Sequence, residues 1–150
     1  MDDSIRQTVE QGFAKQGFMR TLGAKLTEVG FGTCEIKLTY DASLTQQHGL
    51  FHGGVVATIA DNAAGFAAYS LMQGGRQPLT IEFKINLLAP AKGSQLVARA
   101  EVLRAGRRIF HVRADVFSEE DGVESLAATA LVTIKSTQSV TEIESRGTGA

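Results

Sequence analysis

Across residues 33–38 apolar and polar side chains alternate, with Cys34, Ile36 and Leu38 set against Thr33, Glu35 and Lys37. A period of two is the mark of a half-buried strand. Leu26 and Val29 precede this run across Gly30-Phe31-Gly32, so 24–39 reads as a hairpin. Ahead of it, Ile5, Val9 and Phe13 recur every fourth position behind Ser4-Ile5-Arg6-Gln7, a capping-box pattern. They predict a short amphipathic helix over 4–16, ended by Gly17. After a polar, Gly-containing loop at 42–51, residues 53–72 are apolar on nearly every face, and Gly74-Gly75 follow as a stop. Four strand-like runs come next, 79–88, 95–103, 108–117 and 125–134, broken at Pro90 and Gly93, at Ala105-Gly106 and at 119–122.

This order predicts an α+β domain. A helix without a polar face must be enclosed. A strongly curved antiparallel sheet of about six strands, twisted as sheets are, can wrap one such helix. One side of the helix stays uncovered, which predicts pairing with a second copy. A single domain is expected over 1–136, with the N-terminal helix at 4–16 and the core at 23–136. The Thr-, Ser-, Glu- and Gly-rich stretch 137–150 is expected to be a flexible tail.

Composition narrows the function classes. Cys34 is the one cysteine, so neither an internal disulfide nor a thiolate zinc site is available, and a reducing cytoplasm is the expected location. Fifteen Lys and Arg against sixteen Asp and Glu leave a net charge of −1, which argues against a protein built to coat nucleic acid or anionic lipid. Asp2, Asp3 and Glu10 make residues 1–12 unlike a targeting peptide. The apolar run 53–72 is no membrane span either, because Asp61 near its middle would cost about 2.5–3.5 kcal/mol there.

Asp61 is also the first candidate for chemistry, being the only charged side chain between Asp41 and Arg76. A buried carboxylate is hydrogen-bonded, paired or functional. Thr58, Asn62 and the backbone are its possible local partners. His52-Gly53-Gly54 stands just ahead of the helix, where unpaired N–H groups and the dipole can hold developing negative charge. His48 and His52 have helical metal-ligand spacing, but Gly49, Gly53 and Gly54 oppose a helix there, and no metal is expected. His111 reads as a sheet residue, and Cys34 as a small core residue.

The run Gln46-Gln47-His48-Gly49-Leu50-Phe51-His52-Gly53-Gly54-Val55-Val56-Ala57-Thr58-Ile59-Ala60-Asp61 resembles the active-site segment of hotdog-fold acyl-CoA thioesterases of the phenylacetate-degradation (PaaI-like) type. Leu79-Thr80-Ile81-Glu82-Phe83 and the Pro90-Ala91-Lys92-Gly93 corner continue the likeness, which spans roughly 17–136. The resemblance implies a hotdog fold and hydrolysis of an acyl-CoA thioester without metal or organic cofactor. It assigns Asp61 as general base or nucleophile, the Gly53 amide as the group that polarises the carbonyl, and His52 as an orienting residue. Gln46 would position the thioester or water; many members have Asn there, and relatives resembling hydroxybenzoyl-CoA thioesterase have Gln. Thr80 corresponds to the hydroxyl on the strand after the helix. Gly65 stands where the hydroxybenzoyl type has Thr.

An aromatic or medium-chain acyl group is expected, with Phe51, Phe66, Tyr69, Phe83 and Leu87 as candidate walls and Gly54 admitting the ligand close to backbone. Arg104, Arg107 and Arg108 cluster at a strand turn and are candidates for the CoA phosphates. Gly53 and Asp61 are eight positions apart on one helix, hence about 12 Å along its axis. One thioester carbon cannot meet both, so a homodimer, or a dimer of dimers, with sites shared between chains is expected. The rival readings are a hotdog hydratase or dehydratase, and an acyl-CoA-binding module without turnover.

Overall fold

The computed structural model of the chain describes residues 3–138, so 139–150 of the expected tail lie outside the described residues. The first helix, α1 (Asp3–Ala14), buries Val9 and sets Phe13 against Phe66 at 5.6 Å between ring centroids. It stops two residues short of the expected 16. Gly17 does not end it but opens a second helix, α2 (Gly17–Leu22), with Gln16 at the N-cap position. Gly23, at φ 74°, closes α2 as the N–H groups of Gly23 and Ala24 reach back to the carbonyls of Arg20 and Met19. Met19 is the residue of α2 that is buried.

The alternating pattern forms the expected hairpin, β1 (Lys25–Gly30) and β2 (Thr33–Thr39), turning at Phe31-Gly32. Cys34, Ile36 and Leu38 point into the core, and burial pushes the Cys34 thiol up to about 12, as suits a packing residue. The long helix α3 (Gly53–Tyr69) is three residues shorter than its apolar run, and 70–72 continue as tight turns bonded to Phe66, Ala68 and Tyr69. Then come β3 (Gln77–Leu87), β4 (Gln95–Ala105), β5 (Ile109–Glu120) and β6 (Val123–Thr137).

All six strands form one antiparallel sheet in the order β1-β2-β4-β5-β6-β3, and α3 packs against it in contact with every strand. Ala63, Ala64, Ala67 and Ala68 bring the helix backbone close to the strands, with Val56, Ile59 and Phe66 filling the gaps. Gly54, Ala57, Thr58, Asp61, Asn62 and Gly65 remain only partly covered or exposed, so the helix does carry an uncovered stripe. Beside that stripe lies β3, bonded on one side to β6 and open on the other. Leu79, Ile81, Phe83 and Leu87 of this edge strand are 42–58% exposed, an apolar surface unusual for a strand. Among the described residues no helix is long and apolar enough to cross a membrane.

Candidate active site

The first turn of a helix leaves four N–H groups without helical partners. In α3 three of them are answered locally. His52 is the N-cap: its own N–H donates to Leu44 O at 2.9 Å, its Nδ1 accepts from Gly54 N–H at 2.9 Å and its carbonyl from Val55 N–H at 2.9 Å, beside the ordinary helical bond from Val56 N–H. Gly53 N–H is left as the first-turn donor with no partner among the described residues. The sequence makes this selection possible: an imidazole at the cap reaches the second amide, and Gly53 adds no side chain over its own. A Cβ there would lie 3.0 Å from Leu87 Cδ1.

The loop before the helix is fixed as tightly. Gln46 N–H donates to Leu50 O at 2.9 Å and Gly49 N–H to Gln46 O at 3.0 Å, with Gly49 at φ 76°. Gln46 Oε1 accepts from the His48 N–H, which leaves the amide Nε2 as the side chain's donor. Gln46 and Gly53 line one cleft of about 390 Å³ together with Leu50, Phe51, Leu87 and Pro90.

Asp61 lies elsewhere. Two turns along α3 it lines a second cleft of about 620 Å³, walled by Gly17, Phe18, Met19, Ala57, Thr58 and Phe83. Its partner is neither of the local candidates. Thr58 Oγ1 donates to the Gly54 carbonyl at 2.8 Å and Asn62 Nδ2 to Gln16 Oε1 at 2.6 Å, whereas Thr80 Oγ1, from β3, donates to Asp61 Oδ1 at 2.8 Å. Burial pushes the Asp61 carboxyl above the usual aspartate value, and the Thr80 hydroxyl pulls it part of the way back. The result is an oriented carboxylate with its second oxygen available to water or substrate.

The other expected residues divide. Gly54 and Phe83 line the Asp61 cleft, Phe51 and Leu87 the Gly53 cleft. Phe66 is not a wall of either: it is 5% exposed and packed between Phe13 and Tyr69 in the core. Tyr69 is also outside both clefts, its hydroxyl accepting from Gln77 Nε2 at 3.0 Å. Arg104, Arg107 and Arg108 are exposed around the β4–β5 turn. Arg108 O bonds Ser136 N there, at the end of the sheet where Gln77 meets Thr137 and Tyr69, so this turn belongs with the last turn of α3 and not with Gly53. The residues missed in the sequence are those of α2, whose Phe18 and Met19 wall the Asp61 cleft. Among the described residues no three His, Cys, Asp or Glu side chains converge, so no metal ligand set can be named.

Within one chain, then, the free donor and the oriented carboxylate open into different clefts. Residues 48–125, which contain His52, Gly53, Asp61 and Thr80, match the thioesterase superfamily. Acyl-coenzyme A thioesterase 13 of Homo sapiens is 29% identical over 127 residues, covering 81% of this chain and 88% of that protein. The solved structure of a thioesterase family protein from Silicibacter pomeroyi is 41% identical and matches with a TM-score of 0.88 over 90% of this chain and 99% of that one. The structure of the PaaI protein from the phenylacetic acid degradation operon of E. coli gives a TM-score of 0.77 over 90% and 96% at 19% identity, a likeness of fold alone.

Proposed function

The chain belongs to the thioesterase superfamily and is a thioester hydrolase; on that premise we propose that it cleaves aromatic or medium-chain acyl-CoA thioesters in the cytoplasm, at sites completed by a second copy of the chain. The observation that carries this reading is the separation of Gly53 N–H and Asp61 into different clefts, about 12 Å apart along α3. A reacting carbon needs a donor and a base or nucleophile both within about 3 Å. Two copies meeting along the uncovered stripe of α3 and the open edge of β3 supply both to one carbon.

In this reading the thioester oxygen of a bound acyl-CoA faces Gly53 N–H of one chain, with Gln46 Nε2 as a second donor. The Asp61 carboxylate of the other chain takes a proton from water as water adds to the carbonyl carbon, or itself adds to that carbon. Either route puts negative charge on the carbonyl oxygen, where Gly53 N–H stabilises it. Collapse breaks the C–S bond and CoA leaves as thiolate and takes a proton; with water as the attacking group the free acid remains, whereas direct attack leaves an Asp61–acyl anhydride that a water then hydrolyses to the free acid and the regenerated carboxylate. Thr80 keeps Asp61 aimed, and the His52 cap keeps the Gly53 amide unpaired. The apolar walls Phe18, Met19 and Phe83 of the larger cleft favour an aromatic or medium-chain acyl group over acetyl. Arg107 and Arg108, at the far end of α3 from Gly53 within one chain, would meet the CoA phosphates from the second copy.

The test is thiol release across a panel of acyl-CoA esters graded in size. Release from phenylacetyl- and octanoyl-CoA well above that from acetyl-CoA is the expected result. Consumption of enoyl-CoA without free thiol would instead mean a hydratase, and binding without turnover a sensor.

A further inference from the structure

Elsewhere on the sheet Lys37, Arg99 and Arg113 are all matched with carboxylates. On the open edge strand β3 the charges are not. Glu82 and Lys84 stand exposed on either side of Phe83, and neither side chain makes an ion pair or hydrogen bond among the described residues. The strand is bulged between Thr80 and Glu82, where Ile81 has no opposite number on β6. Thr80 and Phe83 therefore both lie opposite core residues, Ile134 and Val132, on the face turned to α3, whereas Glu82 and Lys84, opposite Thr133 and Leu131, share the other face. Along the α3 face Thr80 marks Asp61, to which it is bonded, and Leu87 marks Gly53, whose cleft it lines.

We propose that a second copy pairs with β3 in one antiparallel register, with Phe83 against the second copy's Phe83 on the two-fold axis and each Glu82 facing the other chain's Lys84. The proposal rests on reading the site as shared between two copies, and it makes Glu82 and Lys84 positioning residues for that site. In an antiparallel pair opposed side chains share a face, so a two-fold axis relating two copies of one strand sets some residue against itself. An axis at Glu82 opposes two carboxylates and one at Lys84 two ammonium groups, and both arrangements repel. Axes at Thr80 or Ile85 face both charges with uncharged residues. At Phe83 each carboxylate meets an ammonium group. The same axis places Thr80 opposite Ile85 of the second copy and about 7 Å on the diagonal from its Leu87, whereas within one chain Thr80 and Leu87 are about 20 Å apart along the strand. Asp61 and the second copy's Gly53 thereby become neighbours. The Gln77 end of β3, beside the Arg108 turn, comes to the Leu87 end of the other copy. Phe83 also lines the Asp61 cleft, so the two rings cover each other between the two clefts.

Introduced cysteines read the register directly. Opposed residues hold their Cα atoms within disulfide reach, and residues one pair away from the axis do not face their own copies. Under copper-phenanthroline oxidation Phe83→Cys should form a covalent dimer by itself. Glu82→Cys and Lys84→Cys should each stay uncrosslinked alone and should crosslink when mixed; Cys34 is buried and takes no part. Charge exchange reads the ion pairs. By sedimentation equilibrium Glu82→Lys and Lys84→Glu should each weaken the dimer about tenfold, as two attractive contacts turn repulsive, and the two changes together should restore it to within about threefold. A merely structural role would give no such rescue. Crosslinking of Glu82→Cys or Lys84→Cys alone, no crosslink in Phe83→Cys, or a double variant as weak as the singles overturns the proposal. The shared site fails separately. Complementation between Gly53→Pro and Asp61→Asn with Phe83→Cys uncrosslinked would sink the register and keep the shared site, whereas a Phe83→Cys crosslink without complementation would do the reverse.

Discussion

Gly53→Pro removes the first-turn N–H of α3 that has no partner among the described residues and should leave the fold in place. Proline is favoured at the first position of a helix, where its missing N–H has no helical partner. The preceding residue must be extended, and His52 already is, at φ −64° and ψ 137°. The one close contact, 3.0 Å from a new Cβ to Leu87 Cδ1, is with the end of a side chain 58% exposed, which can turn aside. Loss of an oxyanion donor costs about 10²–10³-fold in kcat, and loss of a general base about 10²–10⁴-fold in Asp61→Asn. Each variant alone should therefore be nearly silent. In a shared site the two defects fall differently. A mixed dimer holds one site with both lesions and one with neither. With equal amounts and random pairing half the dimers are mixed and half of their sites intact, so about a quarter of wild-type activity returns, at least an order of magnitude above either parent. Co-expression with two affinity tags and tandem purification isolates mixed dimers, which should show about half of wild-type kcat per dimer. Mixed dimers that form and stay silent would refute the shared site.

The pH dependence of activity and stability follows from Asp61. Burial raises its folded-state value, so proton binding is favoured by folding; the stability this brings is complete below the unfolded value and is lost as pH rises through the folded one. Asp61→Asn should thus melt above wild type at neutral pH, a difference that closes in acid, as thermal scans across pH would show; a variant less stable at neutral pH contradicts the burial argument. Thr80→Val removes the hydrogen bond that favours the carboxylate, and the acid limb of kcat/KM should move to higher pH. An unmoved limb would mean that Asp61 does not control it. His52→Ala deletes the cap on Gly54 and should cost about 0.5–2 kcal/mol by denaturant unfolding as well as lowering kcat, with His52→Asn restoring the stability.

Much of this fold is written in local pattern. The alternation of 33–38, the Gly-Phe-Gly turn and the Ala-rich helix each specify one element. What the pattern could not show depends on contacts between distant residues. Gly17 reads as a stop because glycine is a poor helix former, yet it begins α2, which is held by Met19 in the core and by the left-handed Gly23. The partner of Asp61 lies nineteen positions away on another element, and only the family resemblance pointed to Thr80, while local chemistry suggested Thr58 or Asn62. Phe66 and Phe83 look alike in sequence. One sits on the covered face of α3 and the other on an open strand, a difference that arises only when the helix is laid across the sheet. Asp61 stood out because charge is rare around it, and the His-Gly-Gly cap because it stands at the start of the same helix.

If the proposed dimer forms over the open edge of β3, stability becomes a collective property. Eleven residues from Gln77 to Leu87 present main-chain donors and acceptors on their free side, with Leu79, Ile81, Phe83 and Leu87 along them. A lone chain must keep that ribbon in water, where it can pair with any other extended strand. When a second copy covers it, association and folding share one equilibrium, and the midpoint of unfolding climbs with protein concentration. Dilution then acts as a denaturant would. In that dimer abundance becomes a determinant of structural integrity, and a newly made copy is most vulnerable while it is still alone.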